Sequence, residues 1–115
     1  MVASMAQPVE FNSIFDAITK DPSEAAQMRF RADMMLALRG YFQDKGWDQK
    51  QIGAKLGVKQ PRVSELMNGK IHLFSSDLLV GFLAKLGFRL APAFTPATKT
   101  RKASITCTVD QQAAD

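Results

Sequence analysis

The segment from Trp47 to Lys70 constrains the fold of this chain more than any other part of the sequence. Its apolar residues recur at spacings of three and four on both sides of Gly57, which is the pattern of two short helices joined by a tight turn. Gly57 can adopt the left-handed backbone that such a turn requires. The segment therefore predicts a helix–turn–helix unit with these residues facing inward: Ile52, Gly53, Leu56, Val63 and Leu66.

The first helix of this unit is predicted over roughly residues 48–56, with its start near Trp47 or Asp48. Gly53 within it lowers helix propensity by about 1 kcal/mol relative to alanine. A residue this small also lets the following helix cross at short distance, so closer packing offsets the loss.

The second helix of the unit is predicted to begin at Gln60 or Pro61. The residue before a proline avoids the α region, which favours Gln60 as the N-cap and Pro61 as the first helical residue. Asn68 and Gly69 form the stop signal. A short exposed helix of this kind fits the major groove of duplex DNA, which is about 12 Å wide. The sequence thus indicates a sequence-specific DNA-binding protein.

Two helices are predicted before this unit. Residues 11–18 carry apolar residues at helical spacing. Asp21 and Pro22 begin a longer helix, because aspartate is a good N-cap and proline suits the first turn. This helix runs up to its C-cap, Gly46, and the sequence leaves open a break within it.

A further helix and two strands are predicted after the unit. A serine at position 75 or 76 caps the helix and Gly87 closes it. After Gly87, apolar residues recur at every second position, which is the spacing of β-strands. The strand candidates are residues 88–94 and 105–109. Pro92 limits the first to an edge strand. Because an isolated strand pair is marginal in water, one or both strands could also pair with a second copy of the chain.

Composition narrows the function classes. The 115 residues are 46% hydrophobic, which suffices for one compact domain. Cys107 and His72 are the only residues of their types, so we expect neither a disulfide nor a metal site, and no cofactor. No secretory signal, membrane span or catalytic constellation is recognisable, so we expect a cytoplasmic protein that is not an enzyme.

Positive charge is concentrated in the helix–turn–helix unit. Residues 1–44 carry a net charge of −2, residues 45–70 carry +4, and residues 71–115 carry +2. A localised basic segment on an otherwise balanced chain is typical of proteins that bind polyanions.

The unit resembles the helix-turn-helix of phage-type repressors, the Cro/xenobiotic-response-element (XRE) family. Two positions depart from the usual pattern, with Gly53 in place of alanine and Met67 in place of a frequent glutamate. The resemblance implies a mainly all-α, lambda-repressor-like domain of five helices at 11–87 and a short C-terminal strand or hairpin. It runs without gaps through these residues: Gln49, Ile52, Gly53, Leu56, Gly57-Val58, Val63-Ser64, Leu66 and Asn68-Gly69-Lys70.

On this basis the chain divides into four parts. Residues 1–10 are expected to be flexible, and 11–87 to form the DNA-binding domain. Residues 88–110 form a strand segment that could serve dimerisation, and residues 111–115 are expected to be a flexible tail.

A narrower likeness covers roughly residues 11–90, which resemble HigA-type antitoxins. Members of that group neutralise a small RelE-like ribonuclease toxin and repress their own operon. The motifs that carry the likeness are Phe15-Asp16-Ala17-Ile18, Arg31-Ala32-Asp33, Gln60-Pro61-Arg62-Val63-Ser64, Gly69-Lys70-Ile71, Phe74-Ser75 and Leu83-Ala84-Lys85-Leu86-Gly87.

The family resemblance also implies which residues face DNA. Gln60, Pro61, Arg62 and Glu65 match positions that face base edges; arginine suits guanine, glutamine suits adenine and glutamate suits cytosine. Glu65 could instead pair with Arg62 within the helix. Gln49 matches a position that hydrogen-bonds a phosphate.

Four further residues are placed to contact phosphates: Lys59, Ser64, Asn68 and Lys70. Each has a plainer alternative, because the lysines could be simply solvated, Ser64 could be a packing residue and Asn68 could only end the helix. A single such helix reads few base pairs, so we expect a homodimer on a palindromic duplex with half-sites about 34–36 Å apart. An antitoxin with a toxin partner and a stand-alone repressor both remain open.

Overall fold

The computed structural model of the protein describes residues 21–112. This part of the chain forms four α-helices, one 3-10 turn and a two-stranded antiparallel sheet, so the predicted mainly helical fold is confirmed. The elements are α1 (Pro22–Lys45), α2 (Gln49–Leu56), α3 (Gln60–Met67), the 3-10 turn Ile71–Leu73, α4 (Ser76–Lys85), β1 (Phe88–Thr95) and β2 (Ser104–Gln111).

The predicted count of five helices is not matched, since the described residues form four α-helices. The predicted helix at residues 11–18 and the flexible segment expected at residues 1–10 lie outside the described residues. None of the helices within residues 21–112 is both long and apolar enough to span a lipid bilayer.

Helix α1 has the ends that the sequence predicts. The Asp21 carboxylate accepts a hydrogen bond of 3.0 Å from the backbone N–H of Ser23, and Pro22 is the first helical residue. The helix runs without a break to Gly46, whose φ of 70° is the left-handed C-cap conformation. Its continuity is expected physically, because no proline lies between Pro22 and Gly46.

Helix α2 begins with a capping box. The Asp48 carboxylate accepts from the backbone N–H of Gln51 at 2.8 Å, and the Gln51 side-chain oxygen accepts from the backbone N–H of Asp48 at 2.9 Å. These two bonds satisfy donors that would otherwise be unpaired at the helix start. The prediction of a helix start at Asp48 is therefore confirmed.

Helix α3 begins at Gln60, the earlier of the two starts that the sequence left open. Lys59, in extended conformation, is the N-cap, so Gln60 is the first helical residue and Pro61 the second. A proline at the second position costs no hydrogen bond, because the first N–H groups of a helix have no partner within it. The local preference against an α conformation before proline is overridden here.

Gly53 lies at a close approach of the chain to itself. A Cβ atom at this position would stand 2.7 Å from the carbonyl oxygen of Val58 and 3.5 Å from Cγ2 of Val63. The expected close approach of α3 to α2 is thus present, and the tightest neighbour is the backbone of the turn. Only a residue without a side chain fits this position without a shift.

The described chain divides into two compact units, at residues 21–79 and 80–112. The first unit holds α1, α2, α3, the 3-10 turn and the start of α4. Its core includes apolar side chains that are at most 2% exposed, among them Leu38, Phe42, Ile52, Leu56, Val63, Leu66, Phe74 and Leu79. Within it, Ser75 caps α4 by accepting from the backbone N–H of Leu78 at 3.1 Å.

The second unit contains the end of α4 and the hairpin of β1 and β2. The strands pair with each other from Phe88 opposite Gln111 to Thr95 opposite Ser104. Of the pairings that the sequence left open, this chain by itself forms the hairpin, because the loop of residues 96–103 lets β2 return beside β1.

The predicted flexible tail at residues 111–115 begins too early. Gln111 belongs to β2, and its side-chain amide donates to the carbonyl of Leu86 at 3.0 Å. The backbone N–H of Gln112 donates to the carbonyl of Gly87 at 2.8 Å. These bonds join the strand end to the end of α4, and residues 113–115 lie outside the described residues.

Candidate nucleic-acid interface

The turn between α2 and α3 is set by one glycine. Gly57 has a φ of 72°, and its N–H donates to the carbonyl of Gly53 at 2.8 Å. The next N–H, of Val58, donates to the same carbonyl at 3.0 Å. The chain therefore reverses sharply, and α3 lies against α2.

Helix α3 has a buried side and an exposed side. Val63 is fully buried and Leu66 is 2% exposed, so they fix the helix against the core. Gln60 and Pro61 at its N-terminal end are exposed. The amphipathic helix that the sequence predicts is thus present, and its polar N-terminal end is accessible.

The predicted base-contacting residue Arg62 is held by three contacts within the chain. Its Nη2 donates to the carbonyl of Leu73 at 2.7 Å, and its Nη1 donates to a carboxylate oxygen of Glu65 at 3.2 Å. The guanidinium also lies over the Phe74 ring, 4.0 Å from the centroid. The side chain, 34% exposed, is therefore anchored at the edge of the interface rather than extended into solvent.

The ion pair with Arg62, one of the two roles that the sequence left open for Glu65, is present in the structure. The two residues stand at i,i+3 spacing, and the Glu65 side chain is 41% exposed. This contact neutralises part of the positive charge on the outer side of α3.

The residues predicted to contact phosphates differ in exposure. Lys59, Asn68 and Lys70 are exposed, whereas Gln49 and Ser64 are half-buried. The Asn68 amide donates weakly to the Ser64 hydroxyl at 3.4 Å, so these two residues stabilise each other's position. Lys59 supplies no side-chain cap to α3, in contrast to the capping aspartates of α1 and α2.

The basic residues of the unit fall into two groups. Lys45 lies 5.6 Å from the Tyr41 ring centroid and Lys55 lies 5.3 Å from the Trp47 ring centroid, so both pack over aromatic rings. The other group consists of Lys50, Lys59 and Lys70, which are exposed, as Lys45 and Lys55 also are. This second group is available to a polyanion.

The sequence analysis did not predict the tertiary contacts of the segment that follows α3. The 3-10 turn Ile71–Leu73 was not predicted, and Arg31 of α1 donates through Nη1 to the carbonyl of Ile71 at 3.4 Å. Phe74, whose ring packs against the Arg62 guanidinium, is 1% exposed. One available signal was the position of Arg31, because a charged residue within the apolar stripe of a helix requires a polar partner.

Within residues 21–112, no three residues among histidine, cysteine, aspartate and glutamate are grouped so that they could hold a metal ion. His72 and Cys107 are both exposed.

Comparison with protein families gives a match for this chain. A family model described as a helix-turn-helix domain matches residues 18–91, which is more than half of the chain. The match includes α1, α2, α3, α4 and the first residues of β1. No curated protein matches the sequence.

Proposed function

We propose a function from one premise, namely that this chain belongs to the helix-turn-helix domain family. The family indicates a DNA-binding regulator. Our finer proposal is a transcriptional repressor that binds a palindromic operator in double-stranded DNA as a homodimer.

The observation that carries the proposal is the accessible N-terminal end of α3. Gln60 and Pro61 are exposed there, while Val63 and Leu66 hold the opposite side of the helix in the core. A helix that is fixed on one side and polar on the other is the part of such a unit that enters the major groove. Its first residues are those that reach the base edges.

The charge distribution supports the same surface. The helix–turn–helix segment at residues 45–70 has a net charge of +4, and Lys50, Lys59 and Lys70 are exposed within it. Lysines near a duplex displace condensed counterions, which supplies most of the sequence-independent affinity. The helix N-terminus at Gln60 adds partial positive charge beside Lys59.

We assign the following roles at the base edges. Gln60 pairs with adenine, Pro61 makes apolar contact such as to a thymine methyl group, and Glu65 accepts from cytosine. Arg62 has five N–H donors, of which one on each Nη atom is engaged within the chain. Readout of guanine by Arg62 therefore requires either its remaining donors or a change of partner on binding.

The backbone contacts complete the proposed footprint. Five residues contact phosphates in this proposal: Gln49, Lys59, Ser64, Asn68 and Lys70. Such contacts fix the register of the helix on DNA without reading the sequence.

The proposed operon context follows from the resemblance to HigA-type antitoxins. In this proposal the chain belongs to the XRE group, neutralises a RelE-like toxin and represses the operon that encodes both proteins. The resemblance rests on short motifs that include Arg31-Ala32-Asp33 and Gln60-Pro61-Arg62.

Selection of bound duplexes from a random DNA library tests the DNA-binding function. We expect an enriched motif of two inverted half-sites, with centres about 10 base pairs, or a multiple of one helical turn, apart. Gln60→Ala should alter the enriched bases within each half-site, whereas Lys50→Ala should lower affinity without changing the motif. Recovery of no motif above the unselected library would refute sequence-specific binding.

The antitoxin function needs a separate experiment. Co-expression with the adjacent reading frame, followed by copurification and a growth assay, should give a stable complex and rescue of growth. Absence of a complex, together with an intact operator motif, would instead establish a stand-alone repressor.

A further inference from the structure

The hairpin of β1 and β2 has two chemically different faces. Residues at alternate positions of a strand share a face, and directly paired residues of antiparallel strands lie on the same side. The register assigns the polar Gln111 to one face at its end, opposite Phe88, and the other side chains of that face are apolar or weakly polar. We call these other side chains the apolar hairpin face, and they are Phe88, Leu90, Pro92, Phe94, Ile105, Cys107 and Val109.

The opposite face is polar or small-chained. It carries Arg89 opposite Asp110 at one end and Thr95 opposite Ser104 at the other. Between them, alanines of β1 face threonines of β2. This face can remain in contact with water at little cost.

Exposure of the apolar hairpin face is concentrated toward the hairpin loop. Phe88, Leu90 and Val109 are half-buried, whereas Phe94 is 66% exposed and Ile105 is 72% exposed. Phe94 and Ile105 are direct cross-strand partners, so their exposed surfaces form one continuous patch.

We propose that a second copy of this chain covers the apolar hairpin face, giving a two-fold symmetric dimer in which the two hairpins pack face to face. The inference rests on the proposed function, since it supplies the second recognition helix that a palindromic operator requires. A two-fold axis brings the same patch of both copies together, so a self-complementary surface is needed. A flat apolar face without charged side chains meets that condition.

The charges around the face favour a second copy in antiparallel orientation. The hairpin loop carries Lys99, Arg101 and Lys102, and the other end of the sheet carries Arg89 and Asp110. Antiparallel packing places the two basic loops at opposite ends of the interface. Parallel packing would bring six like charges together, which is unfavourable.

The exposed area of the apolar hairpin face limits the expected affinity of the dimer. Because an aromatic side chain can bury about 150–250 Å², the exposed part of the face offers roughly 400 Å² per copy. Two copies would therefore bury about 800 Å² in total, which is below the about 1,200–2,000 Å² of common specific interfaces and corresponds to a weak contact. We therefore expect a dimer with a dissociation constant in the micromolar range, which a two-half-site duplex stabilises further.

The test compares two double variants of the full chain that add the same charges at neighbouring pairs. Phe94→Asp with Ile105→Asp places two carboxylates on the apolar hairpin face. Ala93→Asp with Thr106→Asp places them on the opposite face, one register position away. Molar mass by light scattering over a concentration series, together with far-UV circular dichroism, measures assembly and retention of the fold.

We expect the wild type and the Ala93/Thr106 variant to dimerise, and the Phe94/Ile105 variant to be monomeric with an unchanged spectrum. The dissociation constant should rise about 100-fold or more, because burying unpaired carboxylates is unfavourable. A wild-type dimer that the Phe94/Ile105 variant also forms would overturn the proposal.

Reaction of Cys107 with a thiol reagent shows whether the apolar hairpin face is covered by a second copy, covered by another segment of the same chain, or open to water. In the proposed dimer, Cys107 reacts slowly in the wild type and rapidly in the Phe94/Ile105 variant. A monomeric wild type overturns the proposal in either case: a protected Cys107 would then assign the face to another segment of the same chain, and a reactive one would leave it open to water.

Failure of this proposal is distinguishable from failure of the DNA-binding function. If the dimer forms as described but binds no DNA, the interface stands and the proposed function fails. If the wild type is monomeric but binds single half-site duplexes, the function stands and the interface fails.

Discussion

Arg31 and Arg62 donate hydrogen bonds to opposite ends of the same 3-10 turn. Nη1 of Arg31 reaches the carbonyl of Ile71 at 3.4 Å, and Nη2 of Arg62 reaches the carbonyl of Leu73 at 2.7 Å. Arg31 comes from α1 and Arg62 from α3, so the turn connects the long helix to the candidate recognition helix. The shorter bond belongs to Arg62, which makes it the stronger support.

Replacement of Arg62 by alanine should lower the free energy of unfolding by about 1–2 kcal/mol. The change removes a hydrogen bond worth about 1 kcal/mol and a cation–π contact with Phe74 worth about 0.5–1 kcal/mol at a partly exposed site. Urea denaturation followed by tryptophan fluorescence measures the loss. Glu65→Gln is the control, because it removes only an exposed ion pair worth at most about 1 kcal/mol.

The Arg62→Ala variant also tests whether Arg62 reads a base or only stabilises the 3-10 turn. If Arg62 reads guanine, Arg62→Ala should weaken binding to a selected operator about 10-fold or more beyond its effect on random duplex DNA. Fluorescence anisotropy with the two duplexes at one salt concentration gives both constants. Equal losses on both duplexes would exclude Arg62 from direct readout and leave its role in holding the 3-10 turn.

Gly53→Ala should be destabilising even though alanine favours helices. The new Cβ would stand 2.7 Å from the carbonyl oxygen of Val58, so the turn backbone must move. We expect a net loss of about 1–2 kcal/mol, since overpacking costs about 1–3 kcal/mol and helix propensity returns up to about 1 kcal/mol. Thermal unfolding monitored by circular dichroism measures the difference.

Gly40→Ala is the matched control for that change. Gly40 also lies inside a helix, but a Cβ atom there meets nothing within 4 Å. This variant should be about 0.5–1 kcal/mol more stable than the wild type. A stabilising Gly53→Ala would show that the turn can relax and that glycine is not required at this position.

Local rules predict most of the first unit correctly. Asp21, Gly46 and Gly57 mark helix ends because capping depends on a few neighbouring residues and on the left-handed freedom of glycine. The buried positions follow from helical periodicity, as Val63 and Leu66 illustrate. At the start of α3 the sequence left Gln60 and Pro61 open, and the rule for residues before proline favoured Pro61, whereas the helix begins at Gln60.

The side-chain contacts to the 3-10 turn could not be predicted from such local rules. The bond from Arg62 to Leu73 spans 11 residues, and the bond from Arg31 to Ile71 spans 40 residues. Such contacts depend on tertiary placement that no local spacing encodes. The sequence did indicate the ion pair between Arg62 and Glu65, because an i,i+3 spacing brings two helical side chains together without tertiary information.

Removal of the α2 capping box should weaken the helix–turn–helix unit. Asp48→Ala deletes the acceptor for the Gln51 N–H and should cost about 1 kcal/mol of folding free energy. Asp44→Ala is the control, since Asp44 lies in the last turn of α1, where a carboxylate opposes the helix dipole. Denaturant titration should show a loss for the first variant and no loss for the second. Equal effects would mean that the box contributes nothing specific.

The salt dependence of DNA binding should identify the lysines that meet phosphates. Affinity is expected to fall steeply as salt rises, because each phosphate contact releases condensed counterions. Lys59→Gln should reduce the slope of log affinity against log salt by about 1, since Lys59 is exposed at the start of α3. Lys55→Gln should change it less, because Lys55 packs 5.3 Å from the Trp47 ring centroid. Anisotropy titrations over a series of salt concentrations give the slopes, and identical slopes for both variants would remove Lys59 from the proposed phosphate contacts.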